Sequence, residues 1–387
     1  MPLNIDQLKD KSRRRKLLAL DGGGIRGVLS LEILAELESQ LKAATHSGDE
    51  FRLCRYFDYI GGTSTGAIIA AGLARGWRVQ DLIGFYVGSG AQIFDSAAIL
   101  DRWKNLYKSE PLKDMLQSDA VFGAATTLEP QYLECLLLVV LKNKTTDSPW
   151  PLSSNPFAKY NAPDRPDCNL RIPLWKVVRA STAAPVYFPP EVVSWDSRDS
   201  TKTFVFVDGG VTPYNNPAFV MYRMASDPAY RLEWPTGESK MLVVSVGTGS
   251  AASPVDDVAT PDANVIQNLT SLPGALMYAS AVEQDINCRA IGRCVHGPEI
   301  DRELGDMIIR DKATGKPLPL SMDCGRRFIY ARYNAELSPA GLAALGLGAI
   351  NAKEVQKMDA PANIGALRAI GKAVAKSVNV QDFAPFL

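Results

Sequence analysis

The chain has 387 residues, of which 46% are hydrophobic and 22% charged, a composition typical of a globular protein with one large domain or two smaller ones. Lysine plus arginine and aspartate plus glutamate both total 42, so no overall charge attracts nucleic acid, and we expect no nucleic-acid partner. No apolar run approaches the ~20 residues of a membrane-spanning helix. Because the first residues also lack the pattern of a signal peptide, we expect a cytoplasmic protein.

The first charged segment is the basic stretch from Lys11 to Lys16. One interpretation is attraction to an anionic lipid surface, where each cation contributes ~1 kcal/mol at best, which would hold the protein peripherally at the inner membrane surface. The interpretation that we favour is a solvated leader to the first strand.

A glycine-rich loop follows, in the segment Asp21-Gly22-Gly23-Gly24-Ile25-Arg26-Gly27. Residues 16–20 predict a strand before it, and the apolar spacing of residues 28–37 predicts a helix after it. The unpaired amides at such a helix start, together with the helix dipole, favour an oxyanion or a phosphate. Arg26 adds a positive charge within the first helical turn.

Two nucleotide-binding patterns match this loop only in part. Gly22-x-x-x-x-Gly27 is half of a Walker A motif, but Val28 and Leu29 stand where Lys and Ser or Thr are required. Gly22-x-Gly24-x-x-Gly27 fits the dinucleotide pattern, which also needs an acidic residue at the end of a second strand about 20 residues on. Residues 45–50 predict a polar turn there instead, so both interpretations are disfavoured.

A second motif, Gly62-Thr63-Ser64-Thr65-Gly66, has the G-x-S-x-G spacing of a nucleophile elbow. Residues 57–60 predict a short buried strand before it, and residues 67–74 predict a packed helix after it. The flanking glycines Gly62 and Gly66 remove the Cβ atoms that would clash in the tight turn. The pattern indicates Ser64 as a nucleophile.

A carboxylate follows a third apolar run, in residues 203–210. This run predicts a strand that ends in Asp208, Gly209 and Gly210. In open parallel sheets the carboxyl edge is where ligands bind, although such an Asp also caps turns. As a base, an Asp with a pKa of ~3.9 is weak, so burial would have to raise that pKa.

Only two histidines, His46 and His296, are present to serve as an imidazole base. His46 precedes Ser64 and lies in the predicted polar turn. His296 gives the Ser, Asp, His order of an α/β-hydrolase, but Asp21 stands where that fold usually has His before its glycines. A Ser64–Asp208 dyad needs no histidine, and both arrangements remain open at this point.

Two segments interrupt the alternating strand and helix pattern. Residues 143–169 predict a long irregular excursion, of the kind that forms a lid or binding loop, and residues 250–262 predict a loop that leaves the core. Beyond residue 263 the pattern is helix-rich, with helices expected near 337–346 and 361–378. We interpret that region as a helical cap on the core.

Six cysteines show no closely paired framework, so we expect reduced thiols. Cys288, Cys294, His296 and Cys324 could be imagined as a zinc set, but their spacing matches no familiar ligand pattern. We therefore expect no metal and no cofactor.

With these motifs assembled, the chain resembles the patatin-like phospholipase family, whose pattern is a D-G-G-G-x-R-G loop, a G-x-S-x-G elbow and a later D-G-G or D-G-A. All three occur here in that order, and residues 179–188, 215–217 and 245–249 also look like blocks of the family. The resemblance implies a three-layer α/β/α fold with a mainly parallel central sheet. It also implies a catalytic domain over residues 15–250 and a helix-rich C-terminal region, residues 251–387, packed on that domain.

The resemblance also implies roles for the motif residues. Ser64 would be the nucleophile, Asp208 its partner in a dyad, and Gly22, Gly23, Gly24 and Arg26 the oxyanion site, with support from Gly62, Gly66, Gly209 and Gly210. The implied activity is lipid acyl hydrolysis of the phospholipase A or lysophospholipase type, through an acyl-serine, with a phospholipid as the expected substrate.

Four alternatives stay open. They are an acyltransferase that uses the same acyl-serine, a phospholipase effector that is activated by a nucleotide as regulatory ligand, a Ser-Asp-His esterase, and a lipid-binding module with a vestigial site.

Overall fold

The computed structural model describes residues 2–94, 111–185, 188–195, 199–250 and 265–387. Over these residues the chain forms one central sheet, built from strands β1 Arg15–Leu20, β2 Tyr59–Thr63, β3 Leu136–Asn143, β4 Ser148–Ser153, β5 Glu191–Ser194, β6 Thr203–Asp208, β7 Met241–Val246, β8 Arg293–His296 and β9 Ile329–Tyr333. The hydrogen-bonded order is β5-β6-β3-β2-β1-β7-β9-β8, with β4 beside β3.

Six neighbouring strands of this sheet, from β3 to β8 in that order, are parallel. Leu20 at the end of β1 pairs with Gly62 of β2 on one side and with Val246 of β7 on the other. The carboxyl ends of these strands therefore meet at one edge, and the prediction of a mainly parallel sheet is confirmed. Strands β4 and β6 run antiparallel to β3, and β5 runs antiparallel to β6.

Helices cover both faces of the sheet. They are α1 Ile5–Lys9, α2 Gly27–Ala44, α3 Leu53–Tyr56, α4 Thr65–Ala74, α5 Val79–Phe94, α6 Pro111–Gln117, α7 Leu174–Ser181, α8 Ala218–Ser226, α9 Val265–Ile291, α10 Pro339–Ala344, α11 Ala352–Val355 and α12 Ile364–Ala375. Alternate side chains of β1 enter two separate cores: Leu18 and Leu20 pack with α2 and α4, whereas Leu17 and Ala19 pack with α8. Because strand side chains alternate between faces, the architecture has three layers.

Two local predictions differ from the structure. The strand predicted at 57–60 is β2, Tyr59–Thr63, which begins later and runs up to Ser64. The irregular excursion predicted over 143–169 is wrong in its first part, because Ser148–Ser153 forms β4 in a hairpin with β3. Its prolines suggested a loop, but an edge strand such as β4 tolerates proline.

The C-terminal region also contributes strands. β8 and β9 extend the parallel sheet beyond β7, whereas only helices were expected here. The helices expected near 337–346 and 361–378 are present as α10 and α12, and α12 packs along α2. Of the loop predicted at 250–262, residues 251–262 lie outside the described residues, as do Val186 and Tyr187 of the block 179–188.

Candidate active site

Ser64 occupies the sharp turn between β2 and α4. Its φ of 55° and ψ of −123° lie in a region that non-glycine residues rarely adopt. A Cβ on Gly62 would lie 2.0 Å from the carbonyl oxygen of Gly66, and one on Gly66 would lie 2.4 Å from that of Leu20. The turn thus forms only with glycine at both positions, and the predicted strand, elbow and helix are present.

The strained backbone of Ser64 is held by a second serine. The amide of Ser64 donates to Ser181 Oγ at 2.9 Å, and Ser181 Oγ donates to the carbonyl of Val140 on β3 at 2.6 Å. Ser181 is fully buried at the end of α7. The side chain of Ser181 therefore connects the turn at Ser64 to strand β3 of the sheet.

Strand β3 brings Ser64 and Asp208 together. Thr63 pairs with Val140, and Asp208 pairs with the next residue of β3, Leu141. Strand β4 pairs with Leu141 on one edge of β3, so β6 must pair with it on the opposite edge, where β2 also lies. The carboxyl ends of β2 and β6 therefore meet beside β3. Asp208 thus reaches the ligand-binding edge on an antiparallel strand, not on a parallel one as the sequence suggested.

The two side chains are in direct contact. Ser64 Oγ donates to Asp208 Oδ2 at 2.7 Å, and the amide of Gly210 donates to Asp208 Oδ1 at 2.6 Å. A Cβ on Gly209 would lie 2.2 Å from the carbonyl oxygen of Val140, so this position also requires glycine. The carboxylate is fixed at both oxygens.

Burial changes the acidity of Asp208, which is only 5% exposed. Desolvation raises the pKa of its carboxyl from 3.8 to about 6, against the opposing effects of the Ser64 and Gly210 hydrogen bonds and the charge of Arg179. A base with a pKa near 6 is a far better proton acceptor near neutral pH than an ordinary aspartate.

The glycine loop lies beside Ser64, between β1 and α2. The amide of Gly22 donates to the carbonyl of Asn215 at 3.2 Å. Within the described part of the chain, the amides of Gly23 and Gly24 have no protein acceptor. Both glycines line the same cavity as Ser64. Two free donors therefore lie near the serine hydroxyl.

A C-terminal segment forms a backbone hydrogen bond with this loop. The amide of Ile25 donates to the carbonyl of Met358 at 2.9 Å. Gly24 has a φ of 59°, and a Cβ there would lie 2.2 Å from the same carbonyl oxygen. The conformation of the loop thus depends on a residue more than 300 positions later in the chain.

Ser64 and Asp208 open into a mainly apolar cavity of about 210 Å³. Its walls include the side chains of residues that lie far apart in the sequence: Phe94, Leu112, Pro185, Phe188, Val211, Met277 and Met358. Such a cavity suits a hydrocarbon chain.

Arg26 was predicted to belong to the oxyanion site. Arg26 lines a neighbouring cavity, together with Gly22, whereas Gly23 and Gly24 line the apolar one. The four loop residues are therefore divided between two adjoining cavities.

Neither histidine lies near Ser64. His296 is on β8, four strands from β2, or ~19 Å at the ~4.8 Å spacing of strands. It stacks on Tyr333, and its Nε2 lies 3.3 Å from Ser377 Oγ. His46 lies beyond the far end of α2, ~27 Å along an 18-residue helix from the glycine loop. The Ser-Asp-His arrangement is therefore wrong on geometry.

The cysteines are unpaired in the structure. Burial raises the pKa of the Cys288 and Cys294 thiols. Among the residues that the structure describes, no group of three or more His, Cys, Asp or Glu side chains could hold a metal ion. Over the same residues, no helix has both the length and the apolar character needed to span a bilayer.

Three residues of this site were not singled out by sequence reasoning. Ser181 and Asn215 lie in blocks that resemble the family, which was the available signal. Met358 lies in a region without any recognisable motif, and only the tertiary structure brings it to the loop.

The chain is similar to known proteins over much of its length. The family model described as patatin-like phospholipase matches residues 18–222. An intracellular phospholipase A2 of Caenorhabditis elegans is 32% identical over 273 residues, which are 68% of this chain and 22% of that protein. Patatin-15 of Solanum tuberosum is 30% identical over 249 residues, or 60% of each protein. The solved structure of VipD from Legionella pneumophila matches with a TM-score of 0.37 and 15% identity, over 92% of this chain and 67% of VipD.

The chain therefore belongs to the patatin-like phospholipase family. It spans about a fifth of the length of the nematode protein and about 60% of the length of the patatin.

Proposed function

We propose that this protein is a lipid acyl hydrolase that cleaves the carboxylic ester of a phospholipid through an acyl-Ser64 intermediate. The observation that carries the proposal is the 2.7 Å hydrogen bond from Ser64 Oγ to the buried Asp208 carboxylate, at the mouth of an apolar cavity.

In the acylation step, Asp208 Oδ2 accepts the proton of Ser64 while Oγ attacks the ester carbonyl carbon. The carbonyl oxygen becomes negatively charged, and we assign its stabilisation to the free amides of Gly23 and Gly24. Collapse of the tetrahedral intermediate breaks the ester C–O bond. The leaving alcohol, a lysolipid, takes the proton from Asp208.

In the deacylation step, Asp208 accepts a proton from a water molecule that attacks the acyl-Ser64 carbonyl. Collapse of the second tetrahedral intermediate breaks the bond between the acyl carbon and Ser64 Oγ. Ser64 Oγ takes the proton from Asp208, and the fatty acid is released. Removal of one oxyanion donor typically lowers the rate by a factor of ~10² to 10³, so a loop held by Met358 matters to both steps.

Contact with a lipid surface is part of this proposal, because phospholipid esters lie at bilayer surfaces. The basic stretch 11–16 contributes fewer free charges than its sequence suggests. Arg15 is 1% exposed and bonds Asp58 at 3.2 Å, while Lys11 donates to the carbonyls of Leu232 and Glu233. The side chain of Arg13 is 39% exposed, although it also lies 3.6 Å from the carboxylate of Asp58.

Vesicle sedimentation tests that surface contact. An Arg13→Gln, Arg14→Gln double variant should bind anionic vesicles more weakly than wild type. Equal binding would show that these two arginines take no part in the contact.

The proposed activity is tested with wild type, Ser64→Ala, Asp208→Ala and His296→Ala on mixed phospholipid vesicles, with released fatty acid and lysolipid measured by mass spectrometry. We expect release by wild type and His296→Ala only. Ser64→Ala removes one oxygen atom and leaves the turn glycines in place, so it is the matched control for contaminating activity. Release by purified Ser64→Ala at the wild-type rate would refute the proposal.

An added alcohol acceptor separates hydrolysis from acyl transfer. A hydrolase gives free fatty acid whether the acceptor is present or absent. Acyl groups found mainly on the acceptor would instead identify a transferase with the same intermediate.

A further inference from the structure

A second cavity of about 230 Å³ adjoins the apolar one at the carboxyl ends of three parallel strands. Asp21 follows β1, Thr248 lies just beyond β7 and Asn334 follows β9, and all three polar residues line this cavity. Met277 and Met358 line both cavities and so form a common wall. The second cavity therefore lies directly beside the space in which an acyl chain would be held.

The two cavities differ in what they offer to a water molecule. A buried water is held by two to four hydrogen bonds to polar groups. In the acyl-enzyme the acyl chain would occupy the apolar cavity, where side chains such as Phe94 and Leu112 have no hydrogen-bonding atoms. The polar side chains of the second cavity can supply such bonds, so this side is the better source of water for deacylation.

Asn215 lines the second cavity with an unsatisfied side chain. It is 5% exposed, and in the part of the chain that the structure describes its buried Oδ1 has no hydrogen-bond partner. Its backbone carbonyl is engaged separately, as the acceptor for the amide of Gly22. A buried acceptor without a donor is destabilising, and bound water commonly satisfies such a group.

The side chain of Asn215 lies close to the reacting groups. A Cβ on Gly22 would lie 2.5 Å from Asn215 Oδ1 and 3.2 Å from Ser64 Cβ. A Cβ on Gly210 would lie 3.3 Å from Asn215 Oδ1 and 3.1 Å from Asp208 Oδ1. Asn215 Oδ1 is therefore no more than about 6 Å from Ser64 Cβ and from Asp208 Oδ1. One water molecule spans such a gap with two hydrogen bonds of ordinary length.

We propose that the second cavity supplies the water that hydrolyses acyl-Ser64, and that the side-chain amide of Asn215 positions this water beside Asp208. This inference rests on the proposed function. The water oxygen bonds to the acyl carbon while Asp208 Oδ2 accepts its proton, then the bond from that carbon to Ser64 Oγ breaks and Oγ takes the proton. Because water both donates and accepts, either atom of the amide can hold it. Asn215 is thus a positioning residue for deacylation and has no part in acylation.

This role alters the kinetic constants in a way that a loss of structure does not. In a two-step mechanism kcat/KM contains only the steps up to acylation, whereas kcat also contains deacylation. We expect Asn215→Leu to lower kcat and KM together, each about tenfold or more, with kcat/KM within about twofold of wild type. Leucine keeps the branching of asparagine, and the substitution leaves the backbone carbonyl that accepts from Gly22 in place.

The test uses p-nitrophenyl octanoate, because acylation releases p-nitrophenol and deacylation releases octanoate. We expect Asn215→Leu to give a burst of p-nitrophenol and to accumulate octanoyl-Ser64, seen by mass spectrometry of the intact protein. The octanoyl group should be lost about tenfold or more slowly than from wild type. Ala281 is a buried residue of α9 that lines the second cavity and not the apolar one, so Ala281→Phe should fill that cavity and slow the same step. It tests the inference by itself if circular dichroism shows that Asn215→Leu is unfolded.

Two matched controls should lose the octanoyl group at the wild-type rate. Ala279→Phe places the same ring on the exposed side of α9. Gln356→Met removes an amide that also lines the second cavity but is already bonded, as donor to the carbonyl of Leu337 at 3.0 Å.

The outcomes separate this inference from the proposed function. Loss of the octanoyl group at the wild-type rate from folded Asn215→Leu would overturn the positioning role, and the same result for folded Ala281→Phe would overturn the cavity as the source of water. A parallel fall of kcat and kcat/KM in Asn215→Leu, without octanoyl-Ser64, would also overturn it, because acylation would then be impaired. Wild type that releases no p-nitrophenol and acquires no octanoyl group would refute the proposed function itself, and this inference with it.

Discussion

Asp208 should make the folded protein less stable at neutral pH, because its burial favours the protonated form. Below pH 3.8 the carboxyl is protonated in both the folded and the unfolded chain. Between pH 3.8 and about 6 the unfolded chain releases its proton while the folded chain keeps it, so the free energy of unfolding falls as the pH rises. Above pH 6 the difference is constant. The shift corresponds to about 3 kcal/mol at 1.36 kcal/mol per pKa unit.

Asp208→Asn removes that titration and keeps the shape. The amide oxygen of Asn can still accept from the amide of Gly210, and its nitrogen can donate to Ser64 Oγ. Both contacts therefore remain hydrogen bonds, although donor and acceptor are exchanged in the second. We expect the variant to gain stability relative to wild type as the pH rises, with about half of the ~3 kcal/mol appearing between pH 5 and pH 8. Activity should be lost over the same range.

Urea unfolding followed by far-UV circular dichroism, at several pH values from 5 to 8, measures this difference. Asp311→Asn is the control: hydrogen bonds from Thr314 lower the pKa of that exposed carboxyl, so its contribution changes only at pH values below this window. Parallel pH profiles for wild type and Asp208→Asn would refute the argument that burial makes Asp208 a base.

Further expectations concern the elbow and its base. The kcat/KM of wild type should fall about tenfold per pH unit below pH 6, as Asp208 becomes protonated, and a plateau down to pH 4 would contradict this. Ser181→Ala, which frees the amide of Ser64, should lower kcat about tenfold with KM within about twofold, and Ser181→Thr should restore kcat if the hydroxyl is what matters. Gly62→Ala should reduce the free energy of unfolding by ~3 kcal/mol or more, because its Cβ meets backbone, and an unchanged Tm would show that the turn can relax. His296→Ala should hydrolyse esters at the wild-type rate, since a loss in a folded variant would mean that the imidazole reaches the site.

The sequence predicted those parts of the molecule that depend on local geometry. Gly62 and Gly66 predict a tight turn in which a larger residue would clash, and the apolar run 203–208 predicts a strand that ends in a carboxylate. The parallel sheet followed from alternating patterns of the same kind. For the turn and the strand, one short segment contains both the signal and the structure that it specifies, whereas the sheet was predicted from the alternation of strand and helix patterns along the chain.

Other features could not be predicted because they join distant segments. That β6 is antiparallel, and meets β2 end to end along β3, depends on pairing across more than 60 residues. The prolines of residues 148–153 obscured β4, because only its edge position makes them tolerable. Nothing in the residues around Met358 indicates that their backbone supports the glycine loop.

Because Met358 lies late in the sequence, its contact with the glycine loop forms late during protein synthesis. Ser64 and Asp208 are translated 150 residues or more before Met358, an interval of ~8–30 s at ~5–20 residues per second. During that interval the nascent chain can already contain the serine and its carboxylate, while Ile25 still lacks its acceptor. The glycine loop therefore gains this backbone contact only after Ser64 and Asp208 have both been synthesised.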